Sequence, residues 1–191
     1  ETYYSSVELD DSFFLSPRKH EEKLTYTICH VSHPIKTMNK GHETFIKVIK
    51  QLNDEGYNVK GVIAGDGELI PHFKQKAKEL GIYERIEFTG LLMKEELRDL
   101  LTNSDLMLFP TVSEGLPRVI IEAMATGLPC LSCAVGGIPE ILPDDLLFKY
   151  HDVSGFSKKI IHVLEDKRLY EHYSNNLFVK SKEYSRDVLQ N

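Results

Sequence analysis

Three features of this 191-residue sequence predict an α/β fold built on an open, doubly wound parallel sheet. Short runs rich in β-formers alternate with segments of helical periodicity. Those runs are apolar at nearly every position, as strands covered on both faces require. Glycines and prolines stand at the joints between the two kinds of segment.

Residues 1–23 are polar and irregular and read as a lead-in or linker. Their basic residues Arg18, Lys19 and Lys23 are interleaved with Glu21 and Glu22, which predicts a solvated segment. The run 24–32 (LTYTICHVS) is the first strand, followed by a loop over 33–41. Phe45, Ile46, Val48, Ile49 and Leu52 then fall at helical spacing, giving a helix over 42–55 that Gly56 stops. The alternation continues with a strand at 59–64, a Gly65-Asp66-Gly67 turn and a helix at 69–80 ended by Gly81. A strand at 85–89, a helix at 94–101 and a strand at 106–109 come next. Pro117 is placed at the first position of a helix over 117–125, where its missing N–H costs nothing. A strand at 129–133, a helical turn near Ile141 and helices at 153–164 and 168–184 complete the reading. The total is about five or six strands in a Rossmann-like sheet. Ligands of such sheets sit beyond the carboxyl ends of the strands, so the loops 33–41, 65–68, 90–93, 110–117 and 134–139 are where a site is expected.

Composition narrows the function classes. Hydrophobic residues make up 41% and charged residues 27%, which fits a packed globular core. The formal net charge of −6 lacks the basic footprint of a nucleic-acid binder. Cys29, Cys130 and Cys133 are odd in number, and two lie in apolar runs, which points to buried thiols in a reducing compartment. Cys130 and Cys133 have redox-motif spacing but fall on a predicted strand rather than opening a helix. No apolar stretch approaches the ~20 residues of a membrane span, and no signal peptide is visible. The first residue is Glu1 rather than Met, which fits a piece of a longer chain. His30 reads as a core residue on the first strand, His151, His162 and His172 have no metal spacing, and turn geometry accounts for Asp66. No Ser-His-Asp or Cys-His arrangement is readable.

The strongest chemical signal is the loop Pro110 to Pro117 with its following helix. A helix start beside Gly115 offers backbone donors and a positive dipole end to an anion. Glu114 stands just before that start and Glu122 about one and a half turns inside it. A phosphate there lies between two carboxylates in sequence, the order of parts in a diphosphate that joins a sugar to a ribose. A carboxylate accepts two hydrogen bonds side by side, which suits a vicinal diol. The structural alternative is a Glu122 paired with a neighbour, because Ile120, Ile121, Ala123 and Met124 make its surroundings apolar.

Glu114 and Glu122 enclose seven residues and lead into Ala123-Met124-Ala125-Thr126-Gly127-Leu128-Pro129. This resembles the E-x7-E motif and its trailing segment in the retaining glycosyltransferases of family 4. Lys40-Gly41, Ala64-Gly65-Asp66-Gly67, Phe88-Thr89-Gly90, the strand 105–110 and Gly136-Gly137-Ile138-Pro139-Glu140 resemble further family motifs in the family's order, covering residues 26–142. The resemblance implies one half of a GT-B fold. Residues 24–166 would be the donor-binding domain, and residues 167–191 a C-terminal helix that leads back toward an N-terminal domain missing from this chain. It implies a nucleotide-sugar donor, an acceptor that is a saccharide or lipid-linked, neither cofactor nor required metal, and no nucleic-acid partner. A cytoplasmic protein that meets the inner membrane face through its other half, acting in cell-surface polysaccharide synthesis, is the corresponding setting.

Carried over by position, Glu114 holds hydroxyls of the donor sugar and stabilises the oxocarbenium-like transition state. Gly115 and Leu116 offer N–H groups to the diphosphate and sugar, Glu122 binds the ribose, and Lys40 neutralises the leaving diphosphate. Gly90, Leu91 and Leu92 meet the base through backbone groups. The family's G-R-L, whose Arg is a second phosphate cation, is replaced here by Val31-Ser32-His33-Pro34-Ile35-Lys36. His33 and Lys36 are the two substitutes in that loop. Two other functions stay open at this stage: a nucleotide-sugar isomerase or epimerase of the same fold, and a non-catalytic nucleotide-binding module.

Overall fold

The structure, a computed structural model, describes residues 9–185. Residues 1–8 of the lead-in and 186–191 of the C-terminal segment lie outside the described residues. A six-stranded sheet forms the centre, with β1 (Tyr26–Val31), β2 (Val59–Ala64), β3 (Ile86–Gly90), β4 (Leu106–Phe109), β5 (Cys130–Cys133) and β6 (Leu147–Phe148). Its order is β3-β2-β1-β4-β5-β6 and every pairing is parallel. The doubly wound α/β fold predicted from the alternation is therefore present. The sixth strand was not among the predicted runs, because two residues on a sheet edge are too short to show a pattern.

Helices α1 (His42–Asp54), α2 (Ile70–Glu79), α3 (Lys94–Asn103), α4 (Arg118–Ala125), α5 (Ile138–Ile141), α6 (Val153–Glu165) and α7 (Lys167–Ser181) connect and cover the strands. On α1, the residues at helical spacing, Phe45, Ile46, Val48, Ile49 and Leu52, are all fully buried. Each such side chain contributes about 1.5–3 kcal/mol of transfer free energy. Helix α4 is buried from Ile120 through Ala125, an all-round apolar element packed between β4, β5 and α7. It begins one residue later than predicted. Pro117 is its N-cap, with extended dihedrals, and Arg118 opens the helix. Asp166 caps α7 by accepting from the N–H groups of Arg168 and Leu169.

The lead-in is part of the body from residue 9 onward, with Leu9 and Phe13 in the core. Lys19, Glu21, Glu22 and Lys23 are exposed, as a solvated segment should be, but Arg18 departs from that expectation. Its guanidinium donates to the carbonyls of Leu101 (2.7 Å), Ser104 (2.5 Å) and Thr126 (2.9 Å). One cation thus closes the carboxyl ends of both α3 and α4, where the helix dipole favours positive charge. Among the described residues, no helix is long and apolar enough to cross a membrane.

Candidate functional site

Strands β1 and β4 are neighbours, and the chain winds outward from them in opposite directions. Their carboxyl ends form the topological switch point where doubly wound sheets bind ligands. The loops that meet there, 33–41 and 110–117, are two of the five selected from the sequence.

Lys40 ends a single turn of tight helix, Met38–Lys40, and Gly41 follows with φ of 82°. A Cβ on Gly41 would lie 2.1 Å from the Pro110 carbonyl oxygen, so only glycine permits this contact between the loops. The Val112 N–H and Thr111 Oγ1 both donate to the Asn39 carbonyl, at 2.9 and 3.0 Å. Lys40 is thereby held over the β4 loop, and its Nζ bonds Glu114 Oε1. The Glu114-Gly115 turn is braced from the other side by the β5–α5 loop. There the Gly137 N–H donates to the Gly115 carbonyl at 2.7 Å.

Glu122 lies on α4 and is only 7% exposed. Arg118, one turn earlier, donates Nε to Glu122 Oε1 at 2.9 Å. Burial pushes the Glu122 carboxyl above its ordinary range, and the Arg118 guanidinium offsets part of that rise. Glu122 is therefore a buried, paired glutamate that also lines a cleft.

That cleft has a volume of about 330 Å³, within the range of small-molecule sites. Lys40, Glu114, Leu116, Arg118 and Glu122 line it, together with His33 and Ser32 from the β1 end and Phe109, Leu97 and Val119 as apolar walls. The sequence-selected residues converge unevenly. Lys36 is exposed and does not line the cleft. Gly90 has φ of 75° and its carbonyl accepts from Gly65 N–H at 2.8 Å. Leu91 is 57% exposed beyond β3, whereas Leu92 lines a separate cavity with Glu96 and Leu100. Arg118 was not singled out from the sequence, although its four-residue spacing from Glu122 is a readable signal. A cavity of similar volume, about 340 Å³, lies at the opposite end of the sheet around Arg18 and Tyr170. Its cations are already engaged, Arg18 by helix carbonyls and Lys23 by Asp105 at 2.5 Å.

Residues 14–178 match the family model described as glycosyl transferases group 1. Protein CapJ of Staphylococcus aureus is 33% identical over 153 residues, which is 80% of this chain and 38% of CapJ. Among solved structures, Anabaena HepE in complex with UDP and glucose has a TM-score of 0.77 at 21% identity, over 87% of this chain and 45% of that one. The C-terminal domain of the group 1 family protein LpcC from Francisella tularensis has a TM-score of 0.78 at 20% identity, over 93% of this chain and 99% of that domain. The chain thus spans less than half the length of CapJ and of HepE.

Proposed function

Because the chain belongs to the glycosyl transferases group 1 family, we propose that it is the donor-binding domain of a retaining glycosyltransferase of family 4. It binds a nucleoside diphosphate sugar, and the acceptor is bound against a preceding domain. The observation that carries this reading is one cleft at the β1/β4 switch point containing Glu114 and Glu122, each paired to a cation, on either side of the α4 amino terminus. The UDP held by HepE supports a nucleoside diphosphate as ligand. The isolated C-terminal domain of LpcC supports the C-terminal placement. The retaining outcome rests on the family 4 resemblance. So do a cytoplasmic setting at the inner membrane face and a role in cell-surface polysaccharide synthesis.

In this reading the bond between the anomeric carbon and the diphosphate oxygen breaks, and the electron pair leaves with the diphosphate. Lys40 and the α4 amino terminus meet that growing negative charge. Glu114 faces the positive charge left on the sugar, and the acceptor hydroxyl adds on the face from which the diphosphate departs, its proton passing to the departing phosphate oxygen. Gly115 and Leu116 contribute N–H groups to the diphosphate and sugar. Glu122 grips the ribose diol, and the Gly90–Leu91 backbone borders the base.

Separate substitution of the two glutamates tests this. Glu122→Gln weakens nucleoside diphosphate binding by about ten- to a hundredfold, the value of a charge-assisted hydrogen bond. Glu114→Gln leaves that affinity within about twofold, but in the full-length enzyme it lowers kcat strongly. Calorimetry with UDP, GDP and ADP, followed by steady-state kinetics, separates the two. Loss of nucleotide binding in Glu114→Gln with none in Glu122→Gln would overturn the assignment.

A further inference from the structure

A diphosphate carries more negative charge than the single cation of Lys40 offsets, and the loop after β1 does not place a second lysine or arginine in the cleft. Lys36 lies outside, and His33 is that loop's titratable residue in the lining. The other cation in the cleft is Arg118. It is the first residue of the eight-residue α4, where the helix end already favours an anion. Glu122 is four residues further on, about 6 Å along the axis. A guanidinium rooted at the first position and bonded to the second carboxylate spans that interval.

Its hydrogen bonding is half used. Arg118 engages Glu122 through Nε alone, at 2.9 Å. Among the described residues its two terminal nitrogens have no protein partner, and its side chain is 55% exposed where the cleft opens. A guanidinium carries five N–H donors in a fixed planar fork, so four remain without a partner among the described residues, including the outward pair at the end of the fork. The same fork geometry matches two phosphate oxygens.

We propose that Arg118 is a donor-binding residue that bridges two parts of one nucleotide. Nε holds the Glu122 carboxylate for the ribose diol, while the terminal nitrogens take oxygens of the diphosphate. The inference rests on the nucleotide-sugar reading above and adds a residue to it. The leaving diphosphate then sits between Lys40, which comes from the β1 side, and Arg118, which comes from α4. Because Nε and the terminal nitrogens are separate donors, phosphate binding does not require Glu122 to be released.

The test is calorimetric titration of the 191-residue chain with UDP, GDP and ADP, and with the matching nucleosides. Arg118→Ala is expected to weaken the preferred diphosphate by about ten- to a hundredfold, and to exceed the loss for the nucleoside by about tenfold. Arg118→Lys recovers only part, since an ammonium lacks the fork. The decisive comparison is Arg118→Ala in a Glu122→Gln background. A loss of diphosphate affinity that persists there supports a direct phosphate contact. A loss that vanishes there shows that Arg118 acts only through Glu122 and overturns the proposal, as does full recovery by Arg118→Lys. Unchanged diphosphate affinity in Arg118→Ala overturns it too, while leaving the nucleotide reading intact. Failure of the unsubstituted chain to bind any of the three diphosphates overturns both.

Discussion

His30 on β1 and His42 at the start of α1 lie fully buried behind the cleft, with ring centroids 4.5 Å apart in an edge-to-face contact. His30 stacks on Phe109, a wall of the cleft, and His42 stacks on Phe73. His30 Nδ1–H donates to the Leu108 carbonyl at 3.0 Å, but among the described residues His30 Nε2 and both His42 nitrogens have no partner. Burial without a counter-charge favours the neutral ring. It takes His30 from the ordinary 6.5 to about 4 and His42 to about 2, with the Lys40 charge adding in the same direction. Because the folded values are depressed, the pair's contribution is fully present above the unfolded value near 6.5 and is lost as pH falls toward 4 and below. Between pH 7 and pH 5 that loss is about 2 kcal/mol for each ring. Chemical denaturation at the two pH values checks it: His42→Phe keeps the stack on Phe73 and should shed about half of the pair's pH dependence. An equally steep dependence in His42→Phe would mean that His42 takes up its proton as readily in the fold as in the unfolded chain. His30 was readable as a core residue because it sits within an apolar run. His42 was not, since its partners come from β1 and α2 rather than from its own helix. Glu122 was legible from its motif and its apolar neighbours, but the identity of its partner, Arg118, came into view only with the helix built.

At the scale of elements, the Glu114 loop is shaped by a loop more than twenty residues later. Gly136 has φ of 56°, and a Cβ there would lie 1.8 Å from the Glu114 carbonyl oxygen. Gly136→Ala must therefore move one of the two loops. It also forces an L-residue into the left-handed region, at a cost of about 1–2 kcal/mol before the clash is counted. The expected outcome is a lower melting temperature and a larger loss of affinity for the sugar-bearing nucleotide than for the free diphosphate, because Glu114 moves and Glu122 does not. Equal losses for the two ligands in parallel titrations would show that the loop contact does not govern the sugar end. The Gly-Gly pair was visible in sequence, while its contact with Glu114 was not. Arg18 follows the same logic more severely. Its carbonyl partners are 83 to 108 positions away, so local pattern could show only a charged, polar segment. The strands and helices with several apolar positions were legible because periodicity is local. The short β6 and the bracing contacts between loops were not.

At the scale of the whole molecule, the cleft has one wall. Its lining comes from β1, β4, α3, α4 and their loops, all on the carboxyl edge of a single sheet. The relatives CapJ and HepE are more than twice as long as the part this chain matches. Sugar transfer requires the anomeric carbon to be held against an acceptor hydroxyl with water excluded, and orientation of two reactants can supply about 7–11 kcal/mol of the barrier. On the reading proposed above, this sheet edge binds the nucleotide end of the donor and the acceptor is held over it from a preceding domain. The 191-residue chain is therefore expected to bind a nucleoside diphosphate and to show neither transfer nor donor hydrolysis above background. On the reading proposed above, a longer protein that adds a preceding domain should show turnover without tightening free diphosphate binding by more than a few fold, since the proposed phosphate and ribose contacts all lie on this sheet edge. Product formation assayed with the isolated chain and with the full-length protein, alongside calorimetry on both, provides the comparison. Robust turnover by the isolated chain would show that the acceptor is held on this sheet edge itself. The exposed loop at Leu91 and Met93 would then be the place to look for it.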